Sequence, residues 1–229
     1  MIKIKSIEVF KIDLPLKEGN YSWSHGNSVN SFDSTIVKIN TNIGISGLGE
    51  VCTLGPAYLP AYAEGVRTGI KQIGKYLINK DPTDLQEINL EMDKNLKGHN
   101  YVKSPIDIAL DEELIGVHSK TEKKKLLSTI KPNYIILKPS LVGGFQESES
   151  WISIAEKLNI GWWSTSALES NVGLNAISQW VFNKTSTIHQ GLGTGELFIN
   201  NIDCPLMVKS GKLHHEPKKN WNLSFFKEL

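Results

Sequence analysis

The sequence is poor in cysteine, in long apolar runs and in charge of one sign. Its only two cysteines among 229 residues, Cys52 and Cys204, have no paired spacing, which argues against a disulfide framework or a zinc site. No apolar run approaches the ~20 residues of a membrane span. The opening residues, MIKIKSIEVFKI, alternate and form no apolar signal-peptide core. Net charge is +1, with 25 Lys and Arg against 24 Asp and Glu along the chain. Neither nucleic acid nor an anionic membrane is therefore expected as a partner, and a cytoplasmic protein is. The one dense basic run, Lys123 to Lys125, reads as the solvated face of a helix. His189, His214 and His215 lack ligand spacing and read as surface.

What is present divides the chain in two. Ile2, Ile4, Ile7, Val9 and Ile12 make a period-two run with one phase slip, closed by Pro15. Residues 17 to 33 are polar and read as a mobile loop. Thr35 to Ile39 and Ile43 to Leu48 are two more strands, with Thr41, Asn42 and Gly44 supplying the turn. A three-stranded antiparallel meander is expected. Residues 60 to 78 then carry Val66, Ile70, Ile73 and Leu77 at helical spacing. A second helix starts at Asp81, with Pro82 in its first turn, and stops at Gly98. Strands first and helices after make an α+β unit.

The second half changes period. Tyr134 to Leu137, Gly161 to Ser166 and Ile188 to Leu192 are short apolar runs spaced about 27 residues apart. Amphipathic stretches lie between them, carrying Trp151, Ile154 and Leu158, then Leu174, Ile177 and Val181. That alternation marks βαβ units of a parallel sheet. Each run ends in residues capable of chemistry: Lys138 and Ser140, then Ser164 to Glu169, then Gly193 to Gly195. Parallel-sheet folds place their sites at such ends. Taken singly, each has a plainer meaning. Lys138 suits a surface lysine, Asp111-Glu112-Glu113 a solvated turn, Glu169 the cap of a helix beginning near Asn171, and Gly193-Thr194-Gly195 an ordinary turn. Trp162 and Trp163 suit the core.

Two stretches carry a resemblance. Ile43-Gly44-Ile45-Ser46-Gly47-Leu48-Gly49-Glu50 and His99 to Leu110 make residues 1 to about 110 resemble the capping domain of the mandelate racemase and muconate lactonizing branch of the enolase superfamily. Leu110 to Gly116, Ile136 to Gly144, Thr165 to Gly173 and Gln190 to Gly195 make residues 109 to about 213 similar to the C-terminal part of the o-succinylbenzoate synthase family, within the same superfamily. The resemblance implies a fold: an α+β capping domain at 1–105, then a partial (β/α)₈ (TIM) barrel at 106–208, about strands five to eight. A tail at 209–229 would return to the cap. It also implies an activity, metal-dependent proton abstraction next to a carboxylate, ending in dehydration in the menaquinone pathway. A racemase or epimerase of the mandelate racemase group, and a catalytically dead remnant or fusion product, are the alternatives.

By the same resemblance, Asp111 is a ligand of Mg²⁺, with Glu112 behind it, and Lys138 is the catalytic lysine of the sixth barrel strand. Ser140, Ser166, Glu169, Gly193, Thr194 and Gly195 line the pocket of a small-molecule carboxylate. Residues 17–33 and Cys52 to Pro56 are the loops that close over it. Barrel strands one to four are missing from the pattern, and with them two metal carboxylates and the Lys-x-Lys of the second strand, so activity is expected to be impaired or absent. Ser104 to Leu110 would be a helix capped by Ser104, directly abutting the strand before Asp111. A homo-oligomer closing the half barrel is the arrangement the strand count suggests.

Overall fold

Alternation in the first residues produces a long strand, β1 (Ile4–Pro15). The computed structural model describes residues 2–58, 60–110, 123–125, 127–128, 131–184, 188–222 and 224. The polar stretch after β1 is a small hairpin rather than a loop, β2 (Tyr21–Trp23) and β3 (Asn27–Val29), turned by His25 and Gly26 in the left-handed region. Its aromatic residues hold it, because Tyr21 packs edge-on against Phe32 and Trp23 against Tyr58. The strand β4 (Ser31–Thr41) pairs antiparallel with β1, from Ile4 opposite Thr41 to Pro15 opposite Ser31, with a register shift between Ile4 and Ser6. That bulge is the phase slip in the apolar pattern. The strand β5 (Ser46–Cys52) completes the sheet in the order β1-β4-β5. It begins later than expected. Ile43 and Ile45 are 59% and 60% exposed, flanking Gly44 in a turn whose ends Thr41 Oγ1 clamps to Ile45.

Three helices cover this sheet. In α1 (Ala63–Gly74), Val66, Ile70 and Ile73 are buried. The helix α2 (Leu85–Asn95) is capped by Asp84, which accepts from Glu87 N, and not by Asp81. Asp81 instead holds Thr83 through its amide and hydroxyl, a local turn that competes with helix and delays the start. The helix α3 (Asn100–Leu110) begins four residues before the expected cap at Ser104, with Pro105 inside it. Ser104 is drawn elsewhere: its hydroxyl donates to Ser140 O at 2.6 Å. Gly47 and Gly49 let α3 lie on β5, since a Cβ on either would fall 1.9 Å from Ala109 O or 2.0 Å from Pro105 O. Ile4, Val37, Ile39, Val51, Ile70, Ile88, Met92 and Ile106 close one core between sheet and helices.

The second half is built from β6 (Tyr134–Leu137), α4 (Pro139–Val142), α5 (Phe145–Lys157), β7 (Gly161–Ser164) and α6 (Asn171–Phe182). β6 and β7 are parallel, Tyr134 opposite Gly161 through Leu137 opposite Ser164. The expected third strand at 188–192 is reduced to a single parallel bridge between Thr165 and Gly191. Gln190 explains this, because its side-chain Oε1 takes the Ser164 N–H at 2.7 Å that a continuing strand would use. Lys123 also departs from expectation. It is 7% exposed, ion-paired to Glu147 and bonded to Ser150 Oγ, so one lysine of the basic run faces inward. A hairpin, β8 (Leu206–Lys209) and β9 (Lys212–His215), turns at Ser210 and Gly211. Residues near 200 lean back on the cap: Lys17 N donates to Leu197 O, Ile199 N to Pro15 O, and Phe198, Ile202 and Trp221 pack with Ile12, Leu14 and Phe32.

Candidate active site

β6, β7 and the segment at 191 run side by side, so the residues that follow them stand along one rim. Lys138 directly follows β6. Its backbone is extended and its carbonyl accepts from Leu141 N and Val142 N, opening α4. Its side chain is half-buried and makes no ion pair among the described residues. Pro139 in the first turn fixes the chain there, and Ser140, fully buried, turns its hydroxyl onto Glu169 Oε1. After β7, Leu168 takes a positive φ of 66°. This folds the loop so that Ala167 N donates to Glu169 Oε2 at 2.7 Å and Leu168 N to Ser166 Oγ at 3.3 Å. Ser166 Oγ lies 2.7 Å from Thr194 Oγ1. Gly195 packs near Asn171 and its carbonyl accepts from Asn201 Nδ2, whereas Gly193 has open space about its Cα.

Ser140 with Glu169 and Ser166 with Thr194 are therefore brought into contact. Lys138 stands at the same rim without touching them, and Asp111 and Glu112 lie outside the described residues. Glu169 is wholly buried, and its carboxyl is pushed up to about 7. Burial is the main cause, Glu50 adds to it, and the bonds from Ser140 and Ala167 oppose it.

Glu50 is the residue that sequence reasoning passed over. It ends the Gly-Leu-Gly-Glu run on β5 and is 0% exposed. It accepts from Ser34 Oγ at 2.7 Å, Ser170 N at 2.9 Å, Ser170 Oγ at 2.6 Å and Gly173 N at 2.9 Å. The carboxylate thus caps α6 from the cap sheet, where the helix dipole favours negative charge. Burial raises its pKa while those four donors lower it. Asp107 on α3 does the same for α5, accepting from Phe145 N at 3.0 Å. The available signal was a lone acid in a strand otherwise spent on glycine and apolar residues.

Among the described residues no group of three or more His, Cys, Asp or Glu is placed to hold a metal ion. The buried carboxylates near the rim, Glu50 and Glu169, spend their oxygens on N–H and hydroxyl donors. These residues do not fit a Mg²⁺ site, which takes a nearly octahedral set of oxygens. What the rim offers is one amine, three hydroxyls and one protonatable acid.

The family model of the mandelate racemase / muconate lactonizing enzyme N-terminal domain matches residues 21–120. A cis-3-hydroxy-L-proline dehydratase of Roseibium aggregatum is 56% identical over 108 residues, 47% of this chain and 29% of that protein. An o-succinylbenzoate synthase of Desulfotalea psychrophila is 53% identical over 110 residues, 48% of this chain and 30% of that protein. The chain thus matches under a third of the length of either relative. Among solved structures, a mandelate racemase/muconate lactonizing enzyme of Roseovarius nubinhibens ISM superposes with a TM-score of 0.82 at 13% identity, over 94% of this chain and 93% of that one. At that identity the likeness speaks for the fold. No helix among the described residues is long and apolar enough to cross a membrane.

Proposed function

We propose that the chain, a member of the enolase superfamily, descends from a lyase of the o-succinylbenzoate synthase kind and has itself impaired or no turnover. The lyase reaction withdraws a proton beside a carboxylate and expels water. The two relatives support this class by their names, one a dehydratase and one a synthase. The observation that carries the reading is the rim itself. Lys138, Ser140, Ser166, Glu169 and Thr194 stand at adjoining ends of parallel-strand segments, where such folds assemble their chemistry.

On this reading Lys138 is the catalytic lysine that stabilises the enediolate. Its half-buried side chain, with no ion pair among the described residues, is available to the charge that proton removal creates. Ser166 and Thr194 offer paired hydroxyls to a small-molecule carboxylate. Glu169 is turned away from the substrate, because both its oxygens are engaged and its side chain is sealed from solvent. A proton beside a carboxylate is only weakly acidic, and its removal creates a second negative charge on the same group. Superfamily active sites meet that charge with a divalent metal. The described residues bring one ammonium to the rim, too little positive charge for the purpose. We place the protein in the cytoplasm, with neither nucleic acid nor membrane as a partner, and assign Mg²⁺ to Asp111 with Glu112 behind it.

The test is proton exchange and elimination in ²H₂O with Mg²⁺ present. The substrates are cis-3-hydroxy-L-proline and the cyclohexadiene carboxylate that a synthase dehydrates, and Lys138→Ala is the control. The expected result is no elimination, with at most slow exchange that Lys138→Ala abolishes. Turnover at an ordinary enzyme rate of ~1–10³ s⁻¹ would overturn the reading of impaired activity. Exchange that survives Lys138→Ala would overturn the role of the lysine.

A further inference from the structure

Behind the rim, two buried acids share one glycine. A Cβ on Gly173, in the first turn of α6, would lie 2.6 Å from Glu169 Cβ and 3.2 Å from Glu50 Cβ. Both acids are 0% exposed. They are served differently. Each oxygen of Glu50 receives one backbone N–H and one hydroxyl, Ser170 N with Ser34 Oγ and Gly173 N with Ser170 Oγ. Four donors at a helix N-terminus are provision for an anion. Glu169 has Ala167 N on one oxygen and the Ser140 hydroxyl on the other, with its own backbone N–H as a third, local donor. A hydroxyl donates or accepts, so that contact also suits a protonated Glu169.

No cation among the described residues neutralises the pair. Arg67 on α1 is bidentate to Asp33 on β4, Lys103 on α3 is paired with Asp93, and Lys138 beside α4 has no ion pair. Asp107 on α3 is engaged with Phe145 N. The remaining titratable neighbour is Cys52 on β5, a buried thiol that burial and both carboxylates push well up, so it stays neutral.

We propose that Glu50 and Glu169 form a one-proton latch between the cap sheet and the strand tips. With the proton on Glu169, the loop at 165–170 and the first turn of α6 are held on β5. Loss of that proton leaves two buried negative charges against the same glycine, and the loop and helix end let go of the cap. Burial pushes the Glu169 carboxyl up to about 7, which puts the release near neutral pH.

The test is amide hydrogen exchange on the full chain, read at Ser170 and Gly173 and corrected for the intrinsic base-catalysed rate. Between about pH 6 and about pH 8.5, protection at these two amides is expected to fall roughly tenfold or more, while Val37 and Ile39 in the cap sheet hold theirs. Glu169→Gln, which cannot ionise, is expected to keep protection flat. A flat profile in the unmodified chain, or a fall that persists in Glu169→Gln, overturns the latch. Should the variant fail to fold, the side-chain carboxyl ¹³C shift of Glu169 in the unmodified chain decides. A midpoint at about pH 6 or above upholds the proposal, and one nearer the ordinary ~4.3 overturns it.

Discussion

In the first half a three-stranded sheet lies under α1, α2 and α3, and one continuous set of aliphatic side chains fills the space between them. In the second half two strands of four residues each share small apolar clusters with their helices, and Tyr134 and Ile136 remain 57% and 55% exposed. A two-stranded sheet is marginal alone, so the second half must borrow order. It does so through apolar packing, Val172, Phe198 and Ile202 on the cap sheet and Phe145 and Leu174 on Ile108, and through polar contacts at the rim: Glu50 holds α6, Asp107 holds α5, and Ser104 reaches α4. Apolar burial tolerates small displacements, whereas a hydrogen bond across a dry joint fails when its geometry or charge changes. The cap should therefore answer to volume, and the rim to charge.

The sharpest way to break this contrast is Glu50→Ala. It leaves the Ser170 and Gly173 amides buried without acceptors, at a cost of about 4 kcal/mol. Denaturant unfolding followed by two probes checks it. Fluorescence, with five of the six tryptophans (Trp151, Trp162, Trp163, Trp180 and Trp221) in the second half and Trp23 alone in the first, should change for the most part well before far-ultraviolet circular dichroism of the cap. A loss below about 1 kcal/mol, or coincident transitions, would mean the halves are held elsewhere.

Next in size is the pH dependence. Glu169 is raised from 4.5 to about 7, so between those values the folded chain keeps a proton that the unfolded chain has released. Stability is then full below about pH 4.5, declines as pH rises through about 7, and is flat beyond, a loss of roughly 3 kcal/mol. Glu50 shifts in the same direction. Two half-buried acids of the cap, Asp81 and Glu91, run the other way. Asp81 is lowered by Thr83, and Glu91 by Asn95 and then Lys80, so their contribution is present at neutral pH and fades as pH falls below the ordinary carboxylate range. Stability curves from about pH 4 to about pH 9 should thus show the rim failing at the alkaline end. A curve rising throughout that range would reverse the assignment.

Much of the architecture was legible because it rests on local pattern. The slip among Ile4, Ile7 and Val9 is the bulge in β1, and the even spacing of Tyr134 and Gly161 is the parallel pair. Glu50 was not legible, since its partners Ser170 and Gly173 lie 120 and 123 residues away and an acid on a strand ordinarily faces water. Lys123 misled for the same reason: three lysines in a row hide that one of them meets Glu147. The run at 188–192 looked like a strand by composition, and a single side chain, Gln190, ended it. At the rim, strand ends were readable from spacing. Which hydroxyl would meet which carboxylate depends on side-chain packing and was not.

A matched pair of truncations sharpens the comparison at a finer scale. Ile70 is 0% exposed inside the closed core, and Leu137 is 3% exposed at the end of β6, whose Tyr134 and Ile136 face out. Both Ile70→Ala and Leu137→Ala should fall within the usual ~2–5 kcal/mol for such deletions. Ile70→Ala should cost more, by about 1 kcal/mol, because its rigid surroundings cannot close the cavity, while β6 can shift into its own. Equal costs from denaturant midpoints would show the second half to be as firmly packed as the cap.

The smallest effect belongs to the outward residues of β6. Ile136 is more than half exposed, and replacing it with Thr removes apolar surface without opening a cavity, so Ile136→Thr should change stability by no more than about 0.5 kcal/mol. Its use lies in association. If the half barrel closes against a second copy, Ile136 and Tyr134 lie in that seam, and Ile136→Thr should shift light scattering from dimer toward monomer at unchanged unfolding midpoint. If the unmodified chain is already a monomer, closure by a second copy is excluded and the two residues are simply exposed. A dimer that survives Ile136→Thr together with Tyr134→Ser must use another surface, and the cap, with Ile43 and Ile45 also outward, becomes the place to look.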